Sequence, residues 1–493
     1  MIIKKAVHLI LWQVLMLCIP SIVYARDSIN YHIEMAGTLS DGNFAPTWLT
    51  ANRYGMSGAE PRSAYLRMGA GWSHQFKKDW KIEAGLELAG GIDMASPFWI
   101  QQGYVDCSWK MLTISIGSKE QTGLPLEKNE KLTSGWMVIG TNTRPVPQVR
   151  LEMKDYWNIP GTKDWLAMKG HVAYGYFTDG DWQESFVDNG EMFTKDVLLH
   201  SKSLMFRVGK KAAFPVEFEL GIMDAAQFAG DRMEKQQDGT VVTYRDMPGG
   251  FKTWLKAFIP KQKSTLQNIE GNHCGSWDAA LTVYPKDWRV RVYLEHYFED
   301  HSQMFFQYGR WKDGHLGLEI NPKKNRWVSA VVWECMSTYD QTGPLLYDGV
   351  GGSFNDLQMS GNDNYYNNVE YMGWQYYGAS LGHPFLYGPQ YNEEGSNRIR
   401  SSRVKLQHIG ISGSPTPEWD WRLLMSFSRQ WGTYEIPLDK MRRQSAGLVE
   451  VTFRPKRAEG WSFTAAGAGD WGDYLGHSYG GMLTIRKTGV IKW

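Results

Sequence analysis

Apolar and polar residues alternate with a period of two along most of this chain. Between Tyr65 and Phe76, Leu66, Met68, Ala70, Trp72 and Phe76 share one face, while Arg67, Gly69, Gly71, Ser73 and Gln75 share the other. Lys77-Lys78-Asp79 turns the chain, and Trp80, Ile82, Ala84, Leu86, Leu88 and Ile92 then oppose Lys81, Glu83, Glu87 and Asp93. A helix would scatter those charges around its circumference, whereas a strand collects them on one side. The pattern returns in Leu112-Ile114-Ile116, Val216-Phe218-Leu220-Ile222, Trp288-Val290-Val292-Leu294 and Trp421-Leu423-Met425-Phe427. It returns again at the C-terminus, where Leu483, Ile485, Ile491 and Trp493 oppose Thr484, Arg486, Thr488 and Lys492.

The first residues read as an export signal. Lys4 and Lys5 precede a mostly apolar run from Ala6 to Val23, and Val23-Tyr24-Ala25 offers a cleavage site. We expect residues 1–25 to be a signal peptide and 26–493 to form one domain. No later run is long and apolar enough for a membrane-spanning helix. The mean hydropathy of −0.43 excludes a helical membrane protein but suits strands that are half polar. Aromatics make up 14% of the residues, with 23 Trp, which fits girdles at two bilayer interfaces. The formal charge is +1, and loss of the two signal lysines leaves −1, so nothing points to nucleic acid. Cys107, Cys274 and Cys335 are too few and too far apart for a disulfide framework or a metal cluster. Cys107 shares an apolar face with Val105 and Trp109, as a lipid-facing thiol would.

These features predict an all-β, antiparallel, up-and-down transmembrane barrel of about 18 strands in a Gram-negative outer membrane. The strands are placed near 30–38, 63–76, 80–93, 99–109, 112–118, 145–156, 165–177, 200–210 and 216–223. The remainder fall near 276–284, 288–299, 314–321, 326–338, 401–413, 420–432, 444–455, 461–470 and 478–493. Short polar turns at 77–79, 285–287, 322–325, 414–418 and 456–460 would face the periplasm, and long loops the outside. The largest excursions, 224–276 and 339–400, are then extracellular. The first contains Phe251 to Phe258, read as a short helix with Phe251, Trp254, Leu255 and Phe258 on one side.

Several segments, in order along the chain, resemble the Wzi-type capsule-assembly family of outer-membrane barrels. They are Asn142-Thr143-Arg144-Pro145-Val146-Pro147-Gln148-Val149-Arg150, Leu199 to Leu204, Gly271 to Asp278, and Tyr297-Phe298-Glu299-Asp300. Trp333-Glu334 with Thr338, Gln341, Thr342 and Gly343, then Tyr365-Tyr366-Asn367-Asn368 through Gly382-His383-Pro384, and Ser396-Asn397-Arg398 complete the set. The resemblance implies an 18-stranded barrel that binds capsular or other surface polysaccharide as an outer-membrane lectin, without catalysis. The chain departs from the family at its mature N-terminus, which enters a strand near Ile29 rather than a periplasmic helical bundle. It departs again at Met223 to Gly230, which stand where a His and a Trp-Gly-Gly are expected.

Tyr365, Tyr366, Asn367, Asn368, Trp374, Tyr376 and Tyr377 form the strongest candidate site. Aromatic rings stack on the C–H faces of sugars, and amides pair with their hydroxyls. The competing reading is that this loop folds into the barrel and its tyrosines fill the lumen. Arg144 and Arg150 could bind acidic sugars or form lumen ion pairs, for instance with Glu152. Arg67, Glu83, Glu87, Glu217, Glu219, Arg289, Arg291 and Glu295 could line a pore or pair inside a plugged interior; their balanced signs favour pairing. His273 with Ser276 lacks the third orienting residue that a nucleophilic site needs. Glu299 with Asp300, and Asp470 with Asp473, are carboxylate pairs of the kind sugar hydrolysis uses, but acids are common on any surface. No cofactor or metal motif is present. The reading is a monomeric, non-catalytic, polysaccharide-binding barrel surrounded by outer-membrane lipid; a diffusion porin is the alternative.

Overall fold

The computed structural model describes residues 28–77, 79–121, 124–258, 271–299, 301–304, 312–345 and 360–492. The expected signal segment, Asp300 and Trp493 lie outside them. Eighteen antiparallel strands form one sheet. They are β1 (Ser28–Ser40), β2 (Arg62–Lys77), β3 (Trp80–Ile92), β4 (Phe98–Trp109), β5 (Leu112–Ser118) and β6 (Gln148–Asn158), followed by β7 (Leu166–Tyr176), β8 (Leu198–Val208), β9 (Val216–Phe228), β10 (Asn272–Val283), β11 (Trp288–Phe298) and β12 (Gly314–Pro322). The circuit ends with β13 (Ala330–Ser337), β14 (Val404–Thr416), β15 (Trp419–Gly432), β16 (Pro437–Phe453), β17 (Trp461–Gly472) and β18 (Ser478–Lys492). Closure comes from β1, which pairs with β2 on one side and with β18 on the other, setting Glu34 opposite Arg486 and Met35 opposite Ile485. A closed ladder leaves no edge with bare backbone donors, which hydrocarbon would penalise.

The alternation maps as expected. Leu39, Ile92 and Leu483 on the outer face keep 70%, 70% and 68% of their surface bare, which suits acyl chains and not water. At the short-turn end Trp80 meets Trp109, and Trp419 meets Phe453 with ring centroids 4.5 Å apart, as an interfacial girdle requires. The inward charges pair. Nη1 and Nη2 of Arg291 each donate to Glu219 at 2.8 Å, and Arg67 reaches Glu34 and Glu87 at 3.0 Å. Arg289 lies 2.9 Å from Glu319.

Several strand bounds shift for identifiable reasons. Pro145 and Pro147 cannot donate to a ladder, so β6 begins at Gln148 rather than near 145. Asn325 accepts the backbone N–H groups of Trp327 and Val328, extending that turn and delaying β13 to Ala330. The excursion expected from 224 is shorter, because β9 runs to Phe228 and β10 starts at Asn272. The long-loop end also carries brief connections at 93–97, 433–436 and 473–477, so loop length alone does not sort the two ends.

Three excursions from that end turn into the lumen and pack its long-loop part, above a cavity of about 1040 Å³ bordered by Asn30, His32, Glu87 and Tyr104 of the wall. Segments 41–61, 119–147 and 363–403 bury Leu49, Leu132, Tyr366, Trp374 and Phe385 to 0% exposure. The wall holds them with polar anchors. Glu334 on β13 accepts Thr133 Oγ1, Ser134 N and Ser134 Oγ, each at 2.6 Å. Lys128 is paired with Glu295 on β11, and His408 Nε2 on β14 lies 2.7 Å from the Leu132 carbonyl. Above the rim, Met192–Lys195, Gly230–Lys235 and Val241–Met247 form a three-stranded sheet that the alternation did not reveal. The expected helix over Phe251–Phe258 is present. Trp254 stacks on Tyr174 of β7 at 4.6 Å on the barrel's outer side.

Candidate functional site

The predicted site residues separate into two groups. Tyr365, Tyr366, Asn367 and Trp374 are packed inside the plug. Trp374 Nε1 donates to the Val138 carbonyl at 2.7 Å, and the Tyr366 hydroxyl donates to that of Met137. Asn367 donates to the Ile399 carbonyl and accepts its N–H, both at 2.9 Å. Asn368 caps its own turn by accepting the Glu370 N–H at 2.9 Å. These groups are consumed in holding loop on loop, as the competing reading of the sequence had it. The same holds for other residues that carry the family resemblance, such as Glu334, His383 and Gln341, which are fully buried anchors.

Arg144, Tyr376 and Tyr377 instead meet at a cavity of about 180 Å³ in the extracellular mouth. At ~30 Å³ per water this holds about six waters, the room of one sugar-sized group. Residues 50–60 form one wall, Met94 and Ala95 another, and Trp182, Phe186 and Gln390 complete it. Trp182 and Phe186 project four residues apart from a short helix, Gly180–Phe186, and stack at 4.8 Å with an interplanar angle of 13°. Both rings are half-buried, leaving a flat apolar platform beside a polar floor.

Arg144 is the buried charged element of that floor; the exposed Glu60 also lines the cavity. Its guanidinium lies between the Trp99 ring at 4.2 Å and the Tyr377 ring at 4.6 Å. Nη1 donates to Ser96 Oγ at 3.1 Å, and Nη2 has no hydrogen-bond partner although the residue is only 6% exposed. Burial pushes its pKa down to about 10, so it remains a cation at neutral pH. No acid among the described residues pairs with it; by contrast Arg150 lies 2.5 Å from Glu152. Ser57 Oγ in the same lining is also buried without a partner. Arg144 and Ser57 thus bring to the lining of this cavity a cation and a hydroxyl that lack protein partners, the donor chemistry that an anionic, hydroxylated group would need.

Local backbone features bring these groups together. β4 carries a bulge between Gln102, opposite Glu87, and Ile100, opposite Leu88. Below it Gln102, Tyr104 and Asp106 face inward; above it Trp99 and Gln101 do, so the extra residue turns Trp99 toward Arg144. Gly55, at φ +68, lets its loop press on Arg144: a Cβ there would meet Arg144 Cγ at 2.7 Å. Beneath Tyr377, buried Asp179 accepts the Tyr377 N–H at 3.1 Å and the Gln375 and Gln183 amides. Burial raises the Asp179 pKa to about 6.

Trp99, Trp182, Phe186 and Ser57 were not foreseen. Trp99 is flanked by Phe98 and Ile100, so alternation cannot reveal the bulge. The four-residue spacing of Trp182 and Phe186 was the one available signal. Among the described residues, His273 and Ser276 are bound to different partners, as are Asp470 and Asp473. His273 faces Asp224 at 3.2 Å while Ser276 donates to Asp278 at 2.7 Å. Asp470 is occupied by Thr47 and Asp473 by the Arg443 backbone N–H. No group of three or more His, Cys, Asp or Glu among the described residues is placed to hold a metal.

A closed 18-stranded antiparallel wall, apolar outside and entered by its own long loops, defines an outer-membrane β-barrel. The chain is similar in structure to Wzi of Escherichia coli, an outer-membrane protein involved in group 1 capsule assembly and a carbohydrate-binding β-barrel. The TM-score is 0.57 at 12% identity over 92% of this chain and 83% of that one. OccAB4 of Acinetobacter baumannii (TM-score 0.48, 9% identity, 95% and 99% covered) and OprD of Pseudomonas aeruginosa (0.46, 8%, 94% and 95%) are more distant. At such identities the likeness is one of fold. No family model matches the chain. A search of curated proteins finds no match either.

Proposed function

We propose that this barrel is a non-catalytic outer-membrane lectin that holds an acidic capsular or other surface polysaccharide at its extracellular mouth. The observation that carries the reading is Arg144: a buried cation in the lining of an aromatic-walled cavity, clamped between two rings and with no acid or other partner for one of its nitrogens. A sugar carboxylate would accept from the guanidinium and the ring would lie on Trp182 and Phe186. Repeated weak contacts along one chain would then add by avidity. The sequence motifs shared with the capsule-assembly family and the fold likeness to a carbohydrate-binding barrel support the same reading.

The competing reading is a diffusion porin. Three loop segments packed in the lumen weigh against it, and planar-bilayer recordings on the monomeric protein are expected to stay near silent. The direct test is a titration of the detergent-purified barrel with polysaccharide extracted from its own cells, before and after carbodiimide reduction of the carboxyl groups. Binding to the native polymer, weakened at least tenfold by reduction, is expected. Equal binding to both polymers would remove the acidic specificity, and no binding to either would end the lectin reading.

A further inference from the structure

The outer face of the barrel carries a row of cations where the acyl region ends. Lys405 on β14, Arg429 on β15 and Arg443 on β16 are direct cross-strand neighbours, Lys405 opposite Arg429 and Arg429 opposite Arg443. All three are exposed and point away from the lumen, which their neighbours Leu406, Ser428 and Gln444 face. Like charges directly opposite one another destabilise a ladder unless something of the other sign lies over them. No acid among the described residues is ion-paired with any of the three; Asp313, which lines the same trough, is taken up by the backbone N–H groups of Asp340 and Gln341. Lys405 rests over the Tyr339 ring at 4.7 Å, and the side chains of Arg429 and Arg443 have no hydrogen-bond or ion-pair partner there. The nearby Asp473 accepts the Arg443 backbone N–H and approaches Arg442 at 4.0 Å.

The height of the row is set by what lies below it. Descending toward the short-turn end, the same three strands present Gln407, Phe427 and Ser445, then Ile409, Met425 and Gly447, then Ile411, Leu423 and Val449. Each step is about 7 Å along the strand. The cations therefore stand at the upper border of the hydrocarbon band. Beside them the wall is dented. The row passes through Ser337, opposite Lys405, and Gly314, opposite Ser337, small residues where neighbouring rows carry Leu316 and Cys335. The resulting trough, about 1180 Å³, has an apolar floor that includes Trp277, Leu294, Leu316 and Phe427 and a rim bearing Lys312, Asp313 and Asp340.

We infer that this trough and its cationic bank bind a phosphorylated glycolipid of the outer leaflet, its phosphates on Lys405, Arg429 and Arg443 and its acyl chains along the apolar floor. Guanidinium forks match phosphate oxygens, and a lipid supplies both the negative charge at this height and the hydrocarbon below it. The inference is independent of the glycan reading, whose cavity lies inside the mouth.

The test is native mass spectrometry of the full-length protein, delipidated in detergent and titrated with bis-phosphorylated lipid A. The wild type is compared with K405Q/R429Q/R443Q, and heat-modifiable gel migration checks that both barrels are folded. One lipid retained by the wild type, at least tenfold weaker retention by the folded variant, and loss of retention with dephosphorylated lipid A are expected. Equal retention by the two proteins, or by the two lipids, would overturn the inference. Displacement of the lipid by millimolar inorganic phosphate would also overturn it, by making the row a simple anion site. If the triple variant does not fold, R429Q alone is read against the same outcomes.

Discussion

Replacing Trp374 by Ala separates a plug residue from a ligand contact. The indole is fully buried, and its Nε1–H is donated to the Val138 carbonyl at 2.7 Å, joining segment 363–403 to segment 119–147. Truncating a buried Trp costs about 3–5 kcal/mol in lost contacts and cavity. The orphaned carbonyl adds about 1–3 kcal/mol. The sum, roughly 4–8 kcal/mol, acts on the docking of the plug and not on the wall, whose ladder closes without it. The expected result is a folded barrel in which amides of 119–147 and 363–403 exchange far faster, while β14–β18 keep their protection. A planar bilayer is then expected to show openings that the wild type lacks. Glycan affinity would fall only indirectly, through loss of the Tyr376–Tyr377 support. Unchanged exchange in both segments, together with lost glycan binding, would refute the reasoning and make Trp374 a direct contact.

Other outcomes follow from the same geometry. Arg291→Met leaves Glu219 buried without its two 2.8 Å donors, so urea unfolding in detergent is expected to show about 3–5 kcal/mol of destabilisation. Trp182→Ala removes half of the stacked platform and should weaken polysaccharide binding by about 0.5–1.5 kcal/mol in a titration, with thermal unfolding unmoved. Asp179 has a folded pKa raised from 3.8 to about 6, so the native loop holds the proton more tightly than the opened one. Its contribution is therefore fully present below about pH 4 and is lost as pH rises to about 6, a change of about 3 kcal/mol. Once corrected for intrinsic rates, hydrogen exchange at 375–378 should increase over that window, and Asp179→Asn should flatten the profile.

The wall was legible in the sequence because one face of each strand is in lipid, where every inward charge is visible as a break in an apolar row. Arg67 against Leu66 and Met68, or Glu219 against Phe218 and Leu220, leave no choice of face. That signal fails where both faces are apolar: Phe98-Trp99-Ile100 hides the bulge that turns Trp99 inward. It fails also in the plug, where burial is complete and no periodicity is imposed. Tyr365, Tyr366 and Trp374 looked like a binding surface because ring-and-amide composition is the same for a sugar site and for a loop folded on itself. For Arg144 and Arg150 the sequence leaves two readings open, a contact to acidic sugars or a lumen ion pair. Only the packing shows that Arg150 found its acid and Arg144 did not.

The most direct measurement is the affinity of folded Arg144→Met for the cell's own acidic polysaccharide, by calorimetry in detergent beside the wild type. Loss of a charge-assisted pair in a desolvated pocket is worth about 1.5–3 kcal/mol, roughly 10- to 150-fold. The account predicts a loss of that size with barrel stability retained. Equal affinity of the two proteins would contradict it.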